Sequence, residues 1–324
     1  MGVFSIGFAG IHRMGYPKVP GGLLTAVLTL LSCAAGAQSA PAPPASHESR
    51  APDSLASPNY PALHRIFAAQ SVVYLASGYA LSKSWYKNPL SDFHFKDDRH
   101  VWLQQDKAGH LFTAFQISRY TAEIYRGTGI SRNQRILYGA LSGFVFQTPI
   151  ELLDGFSPDY GFSPSDVGAN LAGSALFIGQ MFAWDELRIL PKFSTRATPY
   201  SQVRPELLGR TFGERMLKDY NGQTYWLSAS PGAFFRQSGW PAWLCISAGY
   251  GIENMVAAEF SRSVAMGYTP YRQYYLSLDI DFTRLPIRNR WLKTAALLLN
   301  SVKVPAPTLA IGRGGSVSFR PLYF

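Results

Sequence analysis

Three long stretches of the chain carry no charge, and each stops short of a membrane span. Ile66–Ser82 runs 17 residues, Ile136–Ile150 runs 15 and Val167–Trp184 runs 18. A helix that crosses a bilayer needs about 20 mostly apolar residues. Gln70, Gln147, Asn170 and Gln180 also interrupt these runs. Segments this apolar must bury their faces, and segments this short do so best against one another. The pattern predicts a four-helix bundle over 62–187, partly sunk in a membrane. Its helices are expected over about 66–82, 101–126, 132–153 and 163–187. Ser131 and Gln134 offer a capping box for the third. Ser163-Pro164-Ser165-Asp166 places an N-cap Ser, a first-turn Pro and an Asp at the start of the fourth.

After Pro191 the period changes from helical to alternating. Tyr274, Leu276, Leu278, Ile280 and Phe282 interleave with Tyr275, Ser277, Asp279, Asp281 and Thr283, which predicts a half-buried strand. Shorter strand candidates are 223–229, 243–250 and 316–324, with a helix near Trp291–Val302 between them. The expected class is α+β, a helical bundle followed by a strand-rich region over 188–324. A chain ending on Phe324 invites comparison with outer-membrane barrels. Such barrels need many alternating segments of about ten residues, and the last residues here do not alternate.

The first 37 residues have the layout of a secretory signal: Arg13 and Lys18, then the apolar run Leu23–Leu31, then small residues. Ala35-Gly36-Ala37 fits ordinary cleavage, and Leu30-Leu31-Ser32-Cys33 fits a lipobox that would leave Cys33 lipidated. Either exit predicts an exported protein of the periplasm or outer membrane, associated with a membrane. Residues 38–61 are rich in Pro, Ala and Ser and read as a linker. With ordinary cleavage only Cys245 remains, which excludes an internal disulfide and a cysteine metal site.

Charge is divided unevenly. Residues 188–324 hold 17 Lys/Arg against 7 Asp/Glu, whereas 38–187 hold 11 against 13. For an exported chain, a basic half points to anionic lipid head groups as partner rather than to nucleic acid.

Against this apolar background, a few polar groups stand out. Gln147, Glu151 and Asp154 fall at i, i+4, i+7 and would form one polar stripe. Asp106 and His110 are four apart, as are Asp166 and Asn170. If the helices pack in order, these pairs meet at one end of the bundle. A functional reading makes Glu151, Asp154 and Asp166 ligands of a divalent metal. Alternatively His110, oriented by Asp106 and with Glu151 also in the catalytic group, is a general base, with Lys107 and Asn170 binding substrate. The bland reading is a polar network that holds helices together, with Asp166 as a cap and Asp154 bonding turn amides. Glu151 is hardest to dismiss. It follows 15 uncharged residues and needs a partner such as His110, Lys107 or Arg135. There is no HExxH, CxxC, GxxxxGK[ST] or GxSxG motif.

The order Asp106-Lys107-Ala108-x-His110, Glu151-Leu152-x-Asp154, Gly161-Phe162-Ser163-x-x-Asp166 and Ala172-Gly173 resembles the YfiM-like family over about 100–185. These are small exported bacterial proteins described as predicted periplasmic lipoproteins with a domain of unknown function. The longer form from Bacteroidetes-type bacteria is similar also in 218–228 and 276–309. A looser likeness is to VanZ-like membrane proteins, through Asp106, Lys107, His110, Glu151, Asp166 and Asn170. Neither resemblance implies a reaction. The expectation is an exported envelope protein of unknown activity, membrane-associated and structural. The alternative is a metal-dependent hydrolase or transferase acting on a lipid or cell-wall phosphate.

Overall fold

A computed structural model describes residues 57–86 and 88–323. The signal-like segment, Cys33 and most of the linker lie outside the described residues. Helices come first and an antiparallel sheet follows, so the α+β order read from the sequence holds.

The first helix, α1, spans Tyr60–Trp85, capped by the Asn59 side chain, which accepts from the Ala62 amide. A turn at Val101–Gln104 leads into α2, Gln105–Ile124. Next come α3, Arg132–Val145, and α4, Thr148–Gly155. The long α5, Pro164–Trp184, closes the helical region. Both anticipated caps form: Ser131 and Gln134 make a reciprocal box, and Ser163 Oγ accepts from the Asp166 amide. The expected single helix over 132–153 is instead two. Pro149 has no N–H to give to the carbonyl of Val145 and its ring would strike it, so the helix ends and restarts. The broken stretch Arg132–Gly155 is, among the described residues, the one helical segment long and apolar enough to cross a membrane.

Helices α2, α3 and α5 pack on one another around Phe115, Ile136 and Phe177. They approach closely because the contacts are made by small residues. A Cβ on Gly143 would lie 2.1 Å from Ser118 Oγ, and one on Gly173 would lie 2.2 Å from the Leu111 carbonyl oxygen. Helix α1 joins them through Gln70, which donates to Thr121 Oγ1 and accepts from Tyr125 OH. Tyr74 stacks on Phe146 with centroids 4.6 Å apart. The other side of α1 leaves Phe67, Val72, Leu75 and Tyr79 exposed.

The sheet is a meander of six antiparallel strands in sequence order. They are β1 Ile189–Thr195, β2 Gln223–Ala229, β3 Leu244–Glu253, β4 Tyr271–Ile280, β5 Ala306–Ile311 and β6 Val317–Tyr323. Helix α6, Arg290–Leu299, sits between β4 and β5. Strands β1 and β5 were not anticipated, since each is short and holds a proline. The sheet curls strongly. Tyr323 on β6 reaches Thr224 on β2, with their hydroxyls 3.1 Å apart, and stacks on Tyr275 at 4.7 Å.

The alternating pattern on β4 does bury one half, but it is the polar half. Gln273, Tyr275, Ser277 and Asp279 are buried, while Tyr274, Leu276 and Leu278 face outward. The register carries this across the whole sheet. Leu190, Ser228, Ser247, Ser277, Thr308 and Arg320 pair in turn on the inner face. One residue along, Pro191, Leu227, Ala248, Leu276, Leu309 and Phe319 pair in turn on the outer face. Inside, Lys192 Nζ meets Asp279 Oδ2 at 2.9 Å, with both side chains at 0% exposure. Ser228 Oγ donates to Asp279 at 2.6 Å, and Trp226 Nε1 donates to Ser194 Oγ at 2.9 Å. The middle of the concave side thus satisfies its polar groups internally, whereas Arg196 Nε and Ser230 Oγ, just past the ends of β1 and β2, have no hydrogen-bond partner.

Candidate functional site

The approach to α2 is strained. Trp102, Leu103 and Gln104 take three consecutive left-handed conformations, with φ of 48°, 49° and 67°. Non-glycine residues pay roughly 1–2 kcal/mol each there, and such strain persists only where surroundings enforce it. They do so here. The Trp102 amide donates to the Ala258 carbonyl, its ring lies 4.9 Å from that of Tyr220, and the Leu103 carbonyl accepts from Tyr250 OH. The result is that α2 begins abruptly and presents Asp106, Lys107 and His110 toward the starts of α4 and α5.

Lys107 is the centre of a first cluster. Its Nζ lies 2.5 Å from Asp98, 3.0 Å from Asp106 and 2.9 Å from Asp166. Asp98 also accepts from Ser163 Oγ at 2.7 Å and Ser165 Oγ at 2.6 Å. Burial works against its charge, but the bonds from Lys107, Ser165 and Ser163 outweigh this and hold the carboxyl well below its ordinary range. Asp106 accepts from both the Nζ and the amide of Lys107 but has no serine donors. Burial, opposed by Lys107, pushes it up to about 6. Burial opposes the charge on Lys107 too, but the acids around it raise its pKa well above the usual lysine range.

Asp166 links this group to a second one. His110 Nε2 lies 3.6 Å from Glu151 Oε1 and 3.8 Å from Asp166 Oδ1. Its other nitrogen, Nδ1, lies 3.0 Å from Asn170 Oδ1. With the amide oriented this way, Nδ1 donates to Asn170 and Nε2 is the nitrogen directed at the acids. Glu151 is 1% exposed, yet neither of its carboxylate oxygens has a hydrogen-bond partner. Asp166 Oδ1 and Asn170 Nδ2 are likewise buried without one, the former lying near Lys107 without hydrogen-bond geometry. Burial, reinforced by Asp166, Asp154 and Asp98, pushes the Glu151 carboxyl up to about 9. Burial also raises Asp166, against the pull of His110 and Lys107.

The arrangement fits ion binding better than a closed network. One ligand atom each from His110, Glu151 and Asp166 lie within 4.8 Å of one another. The gaps of 3.6 and 3.8 Å are too long for hydrogen bonds. Two ligands about 2.1 Å from a common ion stand roughly 3–3.4 Å apart, so a small contraction would complete a site. Imidazole held at Nδ1 by an amide oxygen is also the outer support that metal-bound histidines use. Three carboxylates (Asp98, Asp106 and Asp166) share the one ammonium of Lys107, and Glu151 faces only His110. That imbalance favours another cation.

The residues expected to act together divide as follows. His110, Glu151, Asp166 and Asn170 converge. Asp106 turns to Lys107 instead of orienting His110, because the first turn of α2 sets them side by side. Asp154 leaves the group: its Oδ1 accepts from Tyr86 OH at 2.6 Å, and burial raises it to about 6. His94 and His100 lie outside both clusters. Sequence reasoning missed Asp98, Tyr86 and Ser165. Asp98 is buried while its neighbour Asp97 is exposed and paired with Arg99, and nothing in KDDRH separates the two.

The fold and cluster define an α+β protein with a carboxylate–histidine centre at the junction of three helices. Residues 94–180 match the family model described as predicted periplasmic lipoprotein, DUF2279. The match takes in Asp98, Asp106, Lys107, His110, Glu151, Asp166 and Asn170, and it accords with an exported, periplasmic location. Comparison with curated proteins and with solved structures gave no match.

Proposed function

We propose that this is a membrane-associated periplasmic protein that binds one divalent cation through His110, Glu151 and Asp166 and uses it on a phosphate of a lipid or cell-wall precursor. The observation that carries this reading is Glu151. A carboxylate 1% exposed with both oxygens unpartnered is costly unless something charged meets it. Held by these three side chains, such an ion would supply Lewis-acid chemistry to a phosphoryl oxygen or a water. Lys107 stands beside it to receive negative charge, and His110 and Asn170 fix the geometry. On this reading α1, α2, α3 and α5 form one four-helix bundle. The exposed apolar side chains of α1 support its placement at a membrane.

The test is metal content and thermal stability after chelation and reloading with Zn²⁺, Mn²⁺ or Mg²⁺. One ion per chain and a raised Tm are expected. Glu151→Gln and His110→Ala should remove both effects while leaving near-ultraviolet dichroism intact. Above about pH 9, where its carboxyl ionises, Glu151→Gln should also raise the Tm of the ion-free chain, since it removes a buried, repelled carboxylate. A protein that binds no ion, and in which Glu151→Gln lowers the Tm, would leave the structural reading standing. One observation favours that second reading for the first cluster alone. Lys107, Ser163 and Ser165 satisfy Asp98, and so tie the start of α2 to the start of α5.

A further inference from the structure

The outer face of the sheet is apolar where a water-facing sheet would be polar. Leu227, Leu276, Leu309 and Phe319 are between 44% and 63% exposed, and they pair across neighbouring strands through Ala248. Tyr274, Ile311 and Val317 form a second apolar row, and Ile246 and Leu278 a third. A contiguous exposed patch of this kind marks an interaction surface. The inversion also sorts the candidates. A sheet that hid its apolar side in a protein core would not place serines, Asp279 and Lys192 on its concave side. Apolar outside and polar inside is the arrangement that lipid selects.

Charge completes the argument. Residues 282–324 contain seven Lys/Arg and no Asp or Glu. At the end of the sheet where β4 stops and β5 starts, α6 exposes Trp291, Leu292 and Leu299 alongside Arg288, Arg290 and Lys293. Trp243, 37% exposed, precedes β3 at the same end. Aromatic and basic side chains together suit the head-group layer, and a basic rim complements anionic lipid. Length then sets the depth. From Tyr274 to Ile280 the face runs roughly 20 Å at about 3.3 Å per residue, and less along the membrane normal when the strands tilt. Half a hydrocarbon core is about 15 Å, and strand-built spans use eight or more strands.

We infer that the outer face of strands β2–β6 inserts into one leaflet of an anionic bilayer, the outer face of β1 being covered by α2 through Phe112 and Gln116. Its occupants are acyl chains, and α6 lies in the head-group layer. This rests on the membrane placement proposed above and is independent of the cation.

The test uses vesicles of phosphatidylethanolamine and phosphatidylglycerol and the full exported chain carrying Cys33→Ala, so that acylation supplies no anchor. Binding should survive 1 M salt. The pair Leu276→Asp with Leu309→Asp should weaken it roughly tenfold or more, as charges on a lipid face do. These positions are exposed, and an unchanged Tm would show that the fold persists. As a second measurement, bimane on Leu276→Cys should shift to the blue on binding and be quenched by brominated acyl chains; Cys245 is buried and does not compete. Binding that salt abolishes, with no quenching at 276, would overturn the inference in favour of surface adsorption. Cross-linking of two chains through 276 without vesicle binding would overturn it in favour of a second copy. Glu151→Gln should bind vesicles like the parent chain, so failure of the cation site and failure of this surface are separable.

Discussion

Gln147 Nε2 donates to the backbone carbonyl of His110 at 3.0 Å. The break between α3 and α4 is thereby bolted to the helix that carries the histidine. Pro149 makes the break, Gln147 fills it, and Glu151 emerges one turn later facing Nε2. A straight helix would have carried Glu151 past this point.

Lys107 should be a stability residue as well as a site residue. Its side chain is 14% exposed and serves three carboxylates. Lys107→Ala leaves them unpaired and should cost about 3–5 kcal/mol in denaturant unfolding. Part of the loss should return as pH falls and the acids protonate. A variant as stable as the parent would show that water reaches this cluster freely.

Asp154 gives a pH test outside the ion site. Its folded pKa is raised to about 6 from 3.8, by burial first, against the bond from Tyr86. The folded chain therefore holds a proton that the unfolded chain releases between those values. Its contribution is present below about pH 3.8 and is lost as pH rises to about 6. Asp154→Asn should remove that slope, a difference of up to about 3 kcal/mol between parent and variant across the window. Parallel stability curves for the two proteins would contradict the assignment.

The ion pair inside the sheet should behave as a coupled unit. Asp279→Leu alone strands Lys192, and Lys192→Met alone strands Asp279, each at a cost of about 3–5 kcal/mol. The double variant should be more stable than either single one: Ser228 keeps its bond to Ser247, and the Val304 amide and Ile280 carbonyl lose the bonds they made to the pair. Additive losses would mean that the two side chains do not depend on each other.

Helix approach can be tested at Gly173. A Cβ there would meet the Leu111 carbonyl oxygen, which belongs to the backbone and has nowhere to move. Gly173→Ala should destabilise by about 1–3 kcal/mol despite its better helix propensity. A gain in Tm would mean that α2 and α5 stand further apart.

Several of these features could be read before any coordinates. Ser131, Gln134 and Ser163 announced their helix starts because capping is local chemistry. The spacing of Gln147, Glu151, Asp106, His110, Asp166 and Asn170 named most of the cluster, since helices carry a fixed period. Three things were illegible for physical reasons. Pro149 sat in an apolar run whose periodicity masked the break. Asp98 is buried by contacts with residues 65 or more positions away in the chain. The alternation on β4 fixes that one face is covered but is silent on which, because a period of two is the same read from either side.

The left-handed turn at Trp102–Gln104 bears on how the protein can be divided. The residues that enforce it are Tyr220, Tyr250 and Ala258, all from the sheet region, whereas the residues it aims belong to the matched segment 94–180. The helical half is thus not a cassette. A deletion that kept every cluster residue but removed the sheet would let the turn relax to right-handed geometry and swing Lys107 away from Asp98 and Asp166. Transplanting this centre to another scaffold would require carrying two distant side chains and one distant backbone carbonyl that never touch it.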